Sequence, residues 1–143
     1  SLVGSEMCIR DRYITRKVAV MKLQNEKHKN PFYYAIKGWG HALKTELNLK
    51  FDVLVAILTI VLGIVFKISI NEWMICITLI GLVLSAELMN TAIETVVDMF
   101  TREKNELAGK AKDISAGAVL ILAIASAIVG GIIFIPKIIE IIK

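Results

Sequence analysis

From Trp73 to Leu88 the chain runs Trp-Met-Ile-Cys-Ile-Thr-Leu-Ile-Gly-Leu-Val-Leu-Ser-Ala-Glu-Leu, with Glu87 as its only charged side chain. A charge at the centre of a membrane-type helix costs about 2.5 kcal/mol or more, so a residue of this kind marks a functional or tightly paired position. It is followed by Asn90, Glu94 and Asp98. At about 100° per residue these four side chains fall within an arc of about 80° on one helix face, a polar stripe roughly 16 Å long. The other faces of the same helix are apolar, which is the pattern of a site reached from a membrane surface.

Composition agrees with a membrane environment: 56% of the 143 residues are hydrophobic and the mean hydropathy is +0.67. A helical crossing needs about 20 apolar residues, and spans are expected at about 49–70, 73–99 and 114–135. A spanning barrel would need many alternating segments, and none is present, so the expected fold class is an all-α membrane protein. Of the 17 Lys and Arg residues, ten precede the apolar core of the first span, which starts at Val53, four lie at 102–112, and only Lys67, Lys137 and Lys143 remain for the other side. The excess of positive charge puts the N-terminus and the 102–112 loop in the cytoplasm and the C-terminus outside. The net charge of +4 then reflects topology and attraction to anionic headgroups. No recognition module for nucleic acid accompanies it.

Residues 1–20 match neither a secretory signal nor a helix and are expected to be a non-native or disordered extension, with Met21 as a natural start. Asn30-Pro31 reads as a helix start, cap followed by first-turn proline. From there Phe32, Ala35, Ile36, Trp39, Leu43 and Leu47 recur at close to helical spacing, and Lys37, His41 and Lys44 take other positions. An amphipathic helix over about 31–48, lying at the bilayer interface, is expected. Lys67–Glu72 reads as a tight outer turn and Arg102–Lys112 as a polar loop, while Gly130-Gly131 and Pro136 read as a loose end to the third span. Cys8, Cys76, His28 and His41 form no metal-ligand spacing. A Walker-type glycine loop and the protein-kinase signatures are both absent.

The run Glu87-Leu-Met-Asn90-Thr-Ala-Ile-Glu94-Thr-Val-Val-Asp98, with Leu107-Ala-Gly-Lys-Ala-Lys112-Asp113-Ile-Ser-Ala-Gly-Ala-Val and Lys44-Thr-Glu46-Leu-Asn48, strongly resembles the signature of the prokaryotic diacylglycerol kinase and undecaprenol kinase family. The likeness covers roughly 31–136. It implies a single membrane lipid-kinase domain over 21–143, an interfacial helix plus three spans, assembled as a homotrimer with sites between subunits in a bacterial inner membrane and the active site facing the cytoplasm. It also implies Mg²⁺-ATP as donor and a primary lipid hydroxyl as acceptor. By the same resemblance Glu87 corresponds to the catalytic carboxylate, a general base toward that hydroxyl, and Glu46 and Glu94 to the metal-holding carboxylates. Asn90 and Asp98 would support the active site. The implied nucleotide-binding set is Lys27, Tyr34, Glu46, Glu94, Glu103, Lys104, Asn105, Lys112 and Asp113. At 103–105 the family more often shows Glu-Tyr-His, so Lys104 and Asn105 depart from it. Short members with a lysine-rich start often phosphorylate undecaprenol, the expected acceptor here; diacylglycerol is the alternative.

Phosphoryl transfer asks mainly for positioning and charge neutralisation, and magnesium usually takes only one or two carboxylates. Two glutamates on different helices meet that demand. Each residue also has a structural reading. Asn90 could be interhelical glue, Glu94 an interfacial partner of a lysine, Glu46 a solvated charge, Asp98 a structural residue near water, and Lys112 an interfacial anchor. An ion or proton path is the rival function for an intramembrane Glu–Asn–Glu stripe, although the charged groups gather at one membrane face.

Overall fold

The structure is a computed structural model that describes residues 30–101, 103 and 105–143. The expected extension at 1–20, Lys27 and Lys104 lie outside the described residues. Four helices follow one another: α1 (Pro31–Thr45), α2 (Leu47–Val65), α3 (Ile70–Phe100) and α4 (Glu106–Ile142). The last three are long and apolar enough to cross a membrane. Side chains such as Leu58, Ile64, Ile77, Ile121 and Ile128 point outward along them, as suits helices solvated by hydrocarbon rather than water.

The start of α1 is the one the sequence predicts. The Asn30 side-chain oxygen accepts the Phe32 N–H at 3.1 Å, and Pro31 takes the first helical position, where its missing N–H costs nothing. The helix stops at Thr45, short of the expected residue 48. Glu46 adopts an extended backbone (φ −93°, ψ 121°) and its side chain makes no capping bond. The Lys50 ammonium donates to the Lys44 carbonyl at 3.0 Å, closing the end of α1 from the next helix.

The hairpin between α2 and α3 is tighter than the expected spans allow, because α2 ends at Val65 and α3 already begins at Ile70. Ile68 N–H bonds Gly63 O at 3.1 Å and Lys67 N–H bonds Ile64 O at 3.2 Å. These two bonds are those of a Schellman motif, which satisfies the last carbonyls of a helix. Its left-handed position falls on Lys67 (φ 50°), a conformation that disfavours any side chain with a Cβ. Ser69 then caps α3 reciprocally. Its hydroxyl accepts the Glu72 N–H at 3.4 Å, and the Glu72 carboxylate accepts the Ser69 N–H at 2.6 Å.

This end of the bundle also holds its apolar core. Ile68, Cys76, Ile133 and Phe134 are buried together, with Leu62, Phe66, Trp73 and Val129 packed against them. The Phe66 and Phe134 rings lie 6.2 Å apart. Lys137 of α4 pairs with Glu72 of α3 at 3.3 Å. Residues on both sides of Pro136 are therefore fixed to the other helices, and α4 continues through the proline to Ile142 despite the hydrogen bond that proline removes. The expected loose end at Gly130-Gly131 and Pro136 is thus corrected to continuous helix.

The other end of α4 also differs from expectation. The Asn105 side chain accepts the Leu107 and Ala108 N–H groups at 2.9 and 3.2 Å, so the helix begins at Glu106 rather than near 114, and most of the expected polar loop is its first two turns. At 31 and 37 residues, α3 and α4 reach about 46 and 55 Å, against a hydrocarbon layer of about 30 Å.

At Gly63 the backbone of α2 lies against Trp73 of α3. A Cβ there would sit 2.8 Å from the Trp73 ring and 3.1 Å from the Ile68 side chain. Gly63→Ala should therefore cost about 1–3 kcal/mol, read as a lower midpoint of thermal unfolding in detergent. An unchanged midpoint would mean that the half-buried Trp73 moves aside freely.

Candidate active site

The polar stripe of α3 is graded in burial. Glu87 and Asn90 are only 3% and 6% exposed, Glu94 is half-buried and Asp98 exposed. A carboxylate as deep as Glu87 needs polar company, and α2 supplies some of it. The Asn48 side chain is its polar neighbour, and Asp52, Glu94 and Glu46 all lie near enough to act on its charge.

Helix α4 meets the same stripe. Asn90 Nδ2 donates to Glu94 Oε1 at 3.1 Å, one turn along α3. The buried Ser115 hydroxyl of α4 lies 2.6 Å from Asn90 Oδ1 and 2.8 Å from the Lys112 carbonyl oxygen. Beyond them Lys112 donates to Asp98 at 2.6 Å. The side chains of this last pair are 35% and 56% exposed, so water screens it and it adds little to stability.

A groove of about 730 Å³ opens beside Glu87 and Asn90, walled by Asn48, Phe51, Asp52 and Leu54 of α2 and by Ala116, Val119 and Leu120 of α4. A second, more apolar groove of about 360 Å³ runs among Val55, Leu62, Leu79, Val83, Ala127 and Phe134. Phe51, Asp52 and Ala123 belong to both linings.

The residues singled out from sequence thus separate into groups. Glu87, Asn90, Glu94, Asp98 and Lys112 come together, with Glu46 near Glu87. Asn105 spends its side-chain oxygen on capping α4. Glu103 and Asp113 are exposed. Tyr34 meets Tyr33 edge-on, ring centroids 5.5 Å apart. Three residues at or against the site, Asp52, Asn48 and Ser115, have no role assigned from the sequence. Asp52 carries a readable signal, since it is a carboxylate inside the expected first span at about 49–70. Asn48 and Ser115 lie inside the motifs that carry the family resemblance, but small polar residues near span ends are commonplace and nothing in the sequence says which neighbour each one meets. Among the described residues, no group of three or more His, Cys, Asp or Glu side chains forms a metal cluster.

Comparison with known proteins bears on the same stretch. Residues 33–134 match the family described as prokaryotic diacylglycerol kinase. An undecaprenol kinase of Bacillus subtilis is 43% identical over 106 residues, covering 74% of this chain and 86% of that protein. A diacylglycerol kinase of Synechocystis is 34% identical over 110 residues, 76% of this chain and 63% of that longer protein. One from Haemophilus influenzae is 35% identical over 106 residues, 73% of this chain and 90% of its own length. The matched region contains the three apolar spans nearly entire and the whole carboxylate stripe of α3, and the chain belongs to the prokaryotic diacylglycerol kinase family, a lipid kinase of the membrane.

Proposed function

We propose that this enzyme transfers the γ-phosphoryl group of ATP to the primary hydroxyl of undecaprenol, on the cytoplasmic side of a bacterial inner membrane. The observation that carries the acceptor is the 43% identity to an undecaprenol kinase, against 34% and 35% to two diacylglycerol kinases. The two grooves with their shared lining suit a long apolar acceptor, whose hydroxyl end would lie beside Glu87. Diacylglycerol is the second acceptor, favoured by the names of those other relatives.

In this mechanism Glu87 is the general base. It takes the proton of the lipid hydroxyl as that oxygen attacks the γ-phosphorus and the bond to the β-bridging oxygen breaks, leaving ADP. Its burial keeps water from competing as acceptor. Glu46 and Glu94 would hold Mg²⁺, and the donor chemistry fits: both offer only oxygen, Glu46 stands between α1 and α2 while Glu94 lies on α3, and Glu94 commits Oε1 to Asn90. Magnesium asks for no more than this from protein, the remaining ligands being water and phosphate. When bound, the ion neutralises charge on the β- and γ-phosphates. Lys112, in a screened pair with Asp98, is free to exchange that partner for a phosphate oxygen. Lys27, Tyr34, Glu103, Lys104, Asn105 and Asp113 make up the remaining nucleotide set. Helix α1 would lie at the interface, its lysines toward headgroups.

A homotrimer completes this proposal, since a polar stripe of such length in hydrocarbon has to be covered by protein or open to water. Offered undecaprenol and diacylglycerol together in mixed micelles, the purified enzyme should phosphorylate the polyprenol preferentially. Preference for the glycerolipid would reverse the acceptor assignment, and failure with both would remove it. Glu87→Gln should lose about 10²–10⁴ in turnover while keeping nucleotide affinity; near-normal turnover would end the base assignment. If Glu46 and Glu94 act across a subunit boundary, mixing inactive Glu46→Gln and Glu94→Gln chains should restore part of the activity. Verified mixed trimers without recovery would place each site within one chain.

A further inference from the structure

Among the described residues Ser115 is the one buried hydroxyl that joins α4 to the stripe of α3, and the activity proposed above gives it no role. Its single proton has two possible acceptors, Asn90 Oδ1 at 2.6 Å and the Lys112 carbonyl at 2.8 Å. A serine bonded only to its own helix would be the ordinary local arrangement. The Asn90 side chain decides between them. Its amide has one donating and one accepting end, and Glu94 Oε1, 3.1 Å away, accepts only. The NH₂ end must therefore face Glu94, which leaves Oδ1 turned to α4 in a buried place. There the Ser115 proton is its partner. Without it, Oδ1 would be a buried acceptor lacking a donor, and the bond holding the amide in this orientation would be gone.

We propose that Ser115 is a positioning residue of the phosphoryl-transfer site: by donating to Asn90 Oδ1 it locks the Asn90 amide so that Nδ2 donates to Glu94 and fixes that carboxylate for its ligand. The relay crosses from α4 to α3 and back along one turn of α3, all through side chains that are buried or half-buried. Partners that orient a ligating carboxylate typically matter by about 10–100-fold in metal affinity or activity. The role rests on Glu94 as a metal ligand, and the test separates the two.

The full-length protein in lipid nanodiscs is titrated calorimetrically with Mg²⁺ and a non-hydrolysable ATP analogue. Ser115→Ala should weaken binding about tenfold or more, and Ser115→Cys, of similar size but a weak donor, should fall between it and the parent. In an Asn90→Ala background, Ser115→Ala should have no further effect, because the proposed route through the Asn90 amide has been removed; a further loss there would assign the effect to the Lys112 carbonyl contact instead and overturn the proposal. The side-chain amide resonances of Asn90, identified by their loss in Asn90→Ala, should shift in Ser115→Ala with no nucleotide present. Unchanged affinity in Ser115→Ala, or independent losses that multiply in the double variant, would overturn the proposal; should Ser115→Ala not fold, parent-like affinity in Ser115→Cys would do the same. Normal Mg²⁺-nucleotide binding by Glu94→Gln, with the Asn90 resonances still sensitive to Ser115→Ala, would instead remove the metal role of Glu94 alone.

Discussion

Inside hydrocarbon a polar side chain has no water to fall back on, and the placement of α4 against α3 follows from that constraint. Glu87 and Asn90 are nearly sealed, so their partners must come from protein. Asn48 and Asp52 approach Glu87 from α2, while Ser115 meets Asn90 from α4. Apolar contact alone gives lipid-bathed helices little reason to choose one register, since lipid tails are as apolar as leucine. Directional bonds supply one. At the far end, the close approach of Gly63 to Trp73 and the Glu72–Lys137 pair fix the same helices by packing and charge.

The enzyme thus divides its labour along its length. The hairpin end carries the buried apolar cluster, the Schellman turn at Lys67 and the Ser69–Glu72 capping box. The stripe end has few buried apolar residues and a sequence of polar groups of rising exposure, from Glu87 to Asp98. A donor from water and an acceptor from lipid can meet only where such a gradient exists. The weak outer pair and the deep inner carboxylate are complementary parts of that arrangement, one easily exchanged and the other held.

Much of this was legible in the chain itself. Helical period alone puts Glu87, Asn90, Glu94 and Asp98 on one face, because that relation is internal to one helix. Asn30-Pro31 likewise announces a helix start by purely local chemistry. What periodicity does not encode is the register between helices, and for that reason Ser115 and Asn48 could not be paired with the stripe in advance. Helix ends differ from the expected ones where polar residues are helical. Residues 106–112 are charged yet helical once Asn105 caps them, and Pro136 is carried within α4 by the anchored residues around it. Asp52 is the instructive omission, since the rule that drew attention to Glu87 applied to it equally.

The lengths of α3 and α4 have a consequence for where the enzyme can work. Both helices exceed the hydrocarbon thickness by several turns, and part of that surplus is charged, at Glu94 and Asp98 of α3 and at Glu106–Asp113 of α4, so it can stand among headgroups and water. A bilayer of another thickness would cover more or less of the Glu87–Asp98 stripe. Bilayer thickness would then act as a vertical adjustment of the stripe. A thin membrane would leave Glu94 and Asp98 in water, whereas a thick one would draw them toward the level of Glu87 and the hydrocarbon.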